Sequence, residues 1–202
     1  MSPAEGVALG YELANPGEPR IWIPLGGNHR VGGLSDPHRK RLVSAALDVL
    51  PELGTRLVLL GVDVDGMRPA ARAALRGRVA FLPADGGLLS SLNAWENIVL
   101  PTGFHHPWHL RDTAAQVHEL LKALGADSRA LLAKLPERMS LYEKKLTGYV
   151  RIVLEKPDLM LVEEQQGGLD AAERAAAAEL PGAYLRSCPG GTFVRLEIAA
   201  EP

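Results

Sequence analysis

Two short stretches carry residue types suited to a phosphorylated ligand. The first is Gly27-Asn28-His29-Arg30-Val31-Gly32-Gly33-Leu34. It follows a short apolar run, precedes a helical pattern, and keeps the Gly-x-x-x-x-Gly spacing of a phosphate loop. In such a loop backbone N–H groups cradle phosphate oxygens, a Lys reaches the β and γ phosphates, and a Ser or Thr hydroxyl holds Mg²⁺. Counted from Gly27, the Lys position falls on Gly33 and the hydroxyl position on Leu34. The spacing also fits an ordinary glycine-rich turn. The candidate phosphate contacts are Gly27, Arg30, Gly32 and Gly33, with His29 beside Arg30 as a further polar group for a different ligand.

The second stretch is Leu159-Met160-Leu161-Val162-Glu163-Glu164, an apolar strand ending in two carboxylates. In phosphoryl-transfer sites the first such acid binds the Mg²⁺ shell and the second orients or activates water. Glu163 is one methylene longer than the Asp usual there. Adjacent carboxylates after a strand are also common on ordinary surfaces.

These residues must be held by elements that the apolar periodicity locates. Ile21–Leu25 and Arg56–Gly61 read as strands, as do Val79–Leu82, Leu159–Val162 and Thr192–Leu196. Gly26–Gly33 reads as a loop. Ser35 is a good N-cap for a helix through Leu50, which Pro51 and Gly54 end. Pro69–Leu75, Asp112–Leu124, Ser128–Leu135 and Leu141–Leu154 read as helical. Leu88–Leu100 mixes turn and helix. Ala171–Arg186 is helical up to a break near Pro181–Gly182. Buried strands alternating with helices predict an α/β domain with a largely parallel sheet. Gly103–Leu135 lacks strand signals and reads as a helical insert.

Composition narrows the classes. The 202 residues suit one domain. A hydrophobic fraction of 47% against 23% charged residues excludes wholesale disorder. A net charge of −2 argues for neither nucleic acid nor an anionic membrane surface as partner. The single cysteine, Cys188, rules out an internal disulfide and reads as structural. The apolar runs are far short of the roughly 20 residues that span a bilayer, and Met1–Ala14 has no pattern of a secretory signal.

From Arg56 to Leu196 the chain resembles an ATP-binding subunit of an ABC transporter, in the flavour of those serving MlaE-type lipid or solvent-resistance transporters. Val79–Pro101 resembles the Q-loop segment, including Trp95-Glu96-Asn97. Leu135–Ser140 resembles the approach to the signature motif. Glu155–Asp158 followed by Leu159–Glu164 resembles the approach to Walker B and the motif itself. Gly167-Gly168-Leu169-Asp170 resembles the D-loop. The resemblance implies a P-loop NTPase-like fold: a mostly parallel sheet flanked by helices, one domain over 1–202, with a helical subdomain at about 86–154.

The positions that the resemblance makes functional have departed. The Q-loop Gln falls on Ala84, and the signature Ser-Gly-Gly on Ser140-Leu141-Tyr142. The switch His falls on Ile198, and Tyr11 lies too close to the glycine-rich stretch for an adenine-stacking aromatic. Loss of the Lys removes charge-assisted contacts worth roughly 1.5–3 kcal/mol each. Glu163 and Glu164 are then vestigial, and the expectation is a pseudo-ATPase that needs no cofactor. If instead the chain is the ATP-binding half of a heterodimer with an intact paralogue, it binds ATP and Mg²⁺. The implied partners are an MlaE-type permease or a paralogous ATPase subunit. The implied location is cytoplasmic, at the inner face of the membrane through that partner. Leu88, Leu89, Leu92 and Trp95 either keep the family's permease-docking surface or pack the helical subdomain.

Two further clusters read as bland. His105-His106-Pro107-Trp108-His109 lacks a nearby acidic or Cys partner and reads as a loop, with no metal expected. His38-Arg39-Lys40-Arg41 reads as a solvated helix face.

Overall fold

The computed structural model describes residues 5–13, 19–48, 54–105, 110–164 and 167–197. They form two compact units. The first holds the described residues up to 81, with 157–164 and 188–197; the second holds 82–156 and 167–187.

The first unit contains two four-stranded sheets. One has the order β2-β1-β4-β5, from β1 (Val7–Leu13), β2 (Arg20–Pro24), β4 (Thr55–Leu59) and β5 (Val62–Asp63). Its pairings are antiparallel. β2 alternates cleanly: Ile21 and Ile23 are buried, while Arg20, Trp22 and Pro24 face out. Pro24 is tolerated because β2 is an edge strand. Gly10 in β1 lies opposite Trp22 and Val58. A Cβ there would sit 2.6 Å from the Trp22 ring, so the glycine makes room for the indole. The Arg56 guanidinium stacks 5.4 Å from the centre of that ring.

The other sheet has the order β3-β8-β7-β6, from β3 (Gly27–Val31), β6 (Val79–Leu82), β7 (Leu159–Glu164) and β8 (Thr192–Glu197). β8 pairs in parallel with both β3 and β7. Leu159–Val162 are buried throughout, as expected of a strand covered on both faces. α1 (Asp36–Asp48) buries Leu42, Val43, Ala45 and Ala46 in a core shared with Leu159, Leu161, Val194 and Leu196. α2 (Pro69–Arg76) opens with proline at its first position.

The second unit is helical. It contains α3 (Ala94–His105), α4 (Leu110–Ala123), α5 (Ser128–Leu132), a 3₁₀ turn at Pro136–Arg138, α6 (Leu141–Leu154), α7 (Ala171–Ala178) and α8 (Leu180–Ser187). α6 is its centre, with Leu146, Tyr149, Val150 and Val153 almost fully buried. Gly148 of α6 packs against the backbone of Gly86, and a Cβ would overlap the Gly86 carbonyl. Among the described residues, no helix is long and apolar enough to cross a membrane.

The fold departs from the sequence expectations at four points. β1 was not expected, because Gly10 interrupts its apolar pattern. Gly27–Val31 is a strand and not part of a loop; its only buried side chain is Val31, so it carries no apolar signature. The parallel sheet is as expected, but the same unit adds an antiparallel sheet that the sequence pattern does not announce. The break in the last helical stretch comes at Glu179 and not at Pro181, which sits in the first turn of α8.

Candidate functional site at the carboxyl ends of β3, β8 and β7

In parallel sheets ligands bind beyond the carboxyl ends of the strands. Here β3 ends at Val31, the loop 32–35 follows, and α1 begins at Asp36. A phosphate loop is strand, Gly-x-x-x-x-Gly-Lys-Ser/Thr, helix, with the Lys and hydroxyl in the helix's first turn. Gly32, where the strand gives way to the loop, is one start for the frame. Its second glycine falls on Pro37, its Lys on His38 and its hydroxyl on Arg39. Counted instead from Gly33, also in the loop, the Lys falls on Arg39 and the hydroxyl on Lys40; neither count keeps those positions at Gly33 and Leu34. Gly33 is a loop residue at φ +73°, and Leu34 is buried in the core. Gly27 and Arg30 lie within β3.

Each side chain of the new frame is engaged. His38 Nδ1 lies 2.8 Å from the Ser35 hydroxyl. Lys40 pairs with Asp36 at 2.6 Å. Arg39 is 6% exposed and pairs with both Asp36 and Glu163. The expectation that His38–Arg41 forms a solvated face fails at Arg39. The reason is the carboxylate at the end of β7, distant in sequence and adjacent in space.

The pleat separates the two acids. Successive side chains point to opposite faces of a sheet, so Glu163 meets Arg39 while Glu164 belongs to the other face. Glu164 and Glu197 are register partners, as are Arg30 and Arg195. Arg30 pairs with Glu197 at 3.1 Å and with Glu164 at 3.6 Å, and Arg195 reaches Glu164 at 3.6 Å. The Glu197 carboxylate covers Gly32, where a Cβ would lie 2.5 Å from its Oε2. Four cations (Arg30, Arg39, Lys40, Arg195) thus meet four carboxylates (Asp36, Glu163, Glu164, Glu197). His29 is turned back to the bend before β3, its Nε2 lying 2.6 Å from the Gly26 carbonyl oxygen.

The Mg²⁺ that such a site implies does not fit these residues. The acid that would hold its shell is ion-paired with the Arg39 guanidinium. Sequence reasoning missed Arg39, Arg195 and Glu197. Counting the frame from the end of β3 would have exposed Arg39; nothing local marks the other two.

The remaining motif positions of the first unit are quickly placed. Tyr11 is 2% exposed within β1, so it has no face for a base to stack on. Cys188 is buried after α8. Ile198 and His106–His109 lie outside the described residues.

In the second unit, Ala84 sits in the turn after β6. Ser140 caps α6: Glu143 N–H donates to its hydroxyl at 3.1 Å, and Ser140 N–H donates to the Glu143 carboxylate at 3.0 Å. Leu141 and Tyr142 form the first turn. Burial, then the Glu173 charge, raises the Tyr142 phenol above its ordinary pKa. Asp170 caps α7 in the same reciprocal way with Glu173, Leu169 is buried, and Gly168 has φ +84°. Leu89 is 51% exposed, while Leu88, Leu92 and Trp95 are half-buried. The segment before α3 is pinned by the fully buried Asn97. Its Nδ2 donates to the carbonyls of Leu89, Leu92 and Asn93 at 2.9–3.1 Å, and Leu89 N–H donates to its Oδ1 at 2.8 Å.

Among solved structures the chain is similar to cbiO1 of Clostridium perfringens, part of the ABC transporter complex cbiONQ. The TM-score is 0.75 with 16% identity, covering 96% of this chain and 80% of that one. It is also similar to an ATP-binding cassette solved as a dimer in a post-hydrolysis state with ADP and Pi, at TM-score 0.67 and 16% identity, over 96% and 87% of the two chains. The chain has the ABC ATPase fold. By sequence it is related to ATP-binding subunits of ABC transporters. The lipoprotein-releasing system ATP-binding protein LolD of Ruegeria sp. (strain TM1040) is 34% identical over 118 residues, 58% of this chain and 51% of the relative. LolD 2 of Caulobacter vibrioides is 32% identical over 136 residues, 67% and 58%. The methionine import ATP-binding protein MetN 2 of Pseudomonas aeruginosa is 28% identical over 127 residues, 63% and 37%. The chain spans about half the length of the lipoprotein-releasing relatives it matches. No protein-family model matches it.

Proposed function

We propose that the chain is a non-catalytic relative of ABC ATP-binding subunits, acting as an interaction or regulatory module of a transporter at the cytoplasmic face of the membrane. The observation that carries this reading is Arg39 on Glu163: the guanidinium at the start of α1 and the metal-side acid are spent on each other. Counted from Gly32, the Lys position is His38, and Leu141 and Tyr142 add bulk where the signature motif has glycine. The cargo proposed is lipid or lipid-linked, which the lipoprotein-releasing relatives support as a class. The MlaE-type permease rests only on the Q-loop-like segment, where Leu89 leaves an apolar side chain in the open.

A second reading is favoured by the retention of Glu164 and of the shaped Gly168-Leu169-Asp170 turn. In it the chain is the ATP-binding half of a heterodimer with an intact paralogue.

One pair of measurements separates the readings. Phosphate release from Mg-ATP should stay at background, and thermal unfolding should not shift with millimolar Mg-ATP. A ligand at 100 times its Kd stabilises by about 2.7 kcal/mol, which in a domain of this size raises Tm by more than about 5 °C. A shift of that size without turnover favours the heterodimer half. Turnover that Glu164→Gln abolishes overturns both readings.

A further inference from the structure

We infer that the Arg39 guanidinium is a resident cation that does the bridging work of a divalent metal, and that Glu163 is thereby closed to Mg²⁺. The inference deepens the non-catalytic reading and rests on the same ion pair. Three observations carry it.

Arg39 lies in the first turn of α1, the turn in which a phosphate loop places its Lys and hydroxyl. It is buried to 6% exposure and its charge is divided between two carboxylates, Asp36 on its own helix and Glu163 on β7. The planar guanidinium suits two such partners. Lastly, the second acid is not left over for a metal. Glu164 lies on the opposite face of β7, engaged by Arg30 and Arg195.

A metal entering at Glu163 would have to displace Arg39, leaving a buried guanidinium short of a partner, which is strongly destabilising. Mg²⁺ also gives up its water reluctantly. The exchange is unfavourable on both sides. The ion pair instead ties the start of α1 to the end of β7 permanently, without ligand.

The test uses the full chain and no nucleotide, so it can fail independently of the non-catalytic reading. Mn²⁺ serves as a paramagnetic probe for the Mg²⁺ site, with free Mn²⁺ read by electron paramagnetic resonance. The wild-type chain should bind no Mn²⁺ at millimolar concentration in a way that Glu163→Gln removes. Arg39→Ser should melt lower than wild type and should regain about 5 °C or more on addition of Mg²⁺ or Mn²⁺ well above its Kd. Arg39→Lys should keep most of the wild-type stability and its indifference to metal. Glu163-dependent Mn²⁺ binding by the wild type overturns the inference, as does an Arg39→Ser chain that melts like wild type or ignores metal. If Arg39→Ser does not fold, Arg39→Met/Glu163→Met decides. Removal of both charges should give a chain that melts above Glu163→Met alone; equal or lower melting overturns the pairing.

Discussion

Arg39, in the first turn of α1, and Glu163, at the end of β7, form an ion pair whose side chains are only 7% and 14% exposed. Their positions are far apart in the chain, and the parallel sheet with its covering helix brings them together. Breaking such a buried pair from one side leaves an uncompensated charge and costs about 3–5 kcal/mol. Glu163→Ala is therefore expected to lose about that much in urea unfolding. Glu164→Ala, whose pairs are longer and partly solvated, is expected to lose about 1 kcal/mol or less. Equal losses for the two variants would contradict this division.

On the non-catalytic reading proposed above, changing one motif residue does not produce hydrolysis. His38→Lys supplies the missing ammonium but leaves Arg39 on Glu163. Phosphate release from Mg-ATP by this variant should stay at the wild-type background. Turnover by His38→Lys alone would show that Arg39 yields its place.

Asn97 organises the segment ahead of α3 through four hydrogen bonds while fully buried. Asn97→Ala leaves Leu89 N–H and the Leu92 carbonyl without this partner, at about 1–3 kcal/mol. Tm should fall, and limited proteolysis should begin to cut near Leu88–Leu92.

Two glycines in helices should respond with opposite signs. Gly148→Ala drives a methyl into the Gly86 carbonyl and should destabilise by about 1–3 kcal/mol. Gly103→Ala in α3 meets nothing within 4 Å and should stabilise by about 0.5–1 kcal/mol. Denaturant midpoints of the two variants test the contrast.

Asp36 gives a pH dependence. The Lys40 ammonium, then the Arg39 guanidinium, hold its carboxyl below the usual carboxylate range. A pKa depressed by folding adds stability above the unfolded value, near pH 4, and that stability is lost as pH falls through the lower folded value. Asp36→Asn should therefore flatten the acid limb of the stability curve below about pH 4 and leave its slope at neutral pH unchanged. An unaltered acid limb would contradict the assignment.

Much of the helical unit is legible in the sequence. α4 and α6 lie where the apolar periodicity of Asp112–Leu124 and Leu141–Leu154 places them. Each signal is local, because periodicity acts within a turn or two. β3 is not legible: its pairing partner is β8, its side chains are mostly solvated, and its glycine and polar residues mimic a loop. That one misreading moved the phosphate frame by a strand length and hid Arg39.

The sequence by itself determined the α/β character, the ABC-type order of segments and the paired acids at Glu163 and Glu164. These are matters of residue identity and short-range spacing. Only the tertiary structure decided what the retained acids do. The pleat of β7 sends Glu163 and Glu164 to opposite faces. The register of β3, β8 and β7 aligns Arg30 and Arg195 with Glu164 and Glu197, and the packing of α1 delivers Arg39 to Glu163. Charge pairing between residues remote in sequence depends on distance and burial, and only the folded chain sets those.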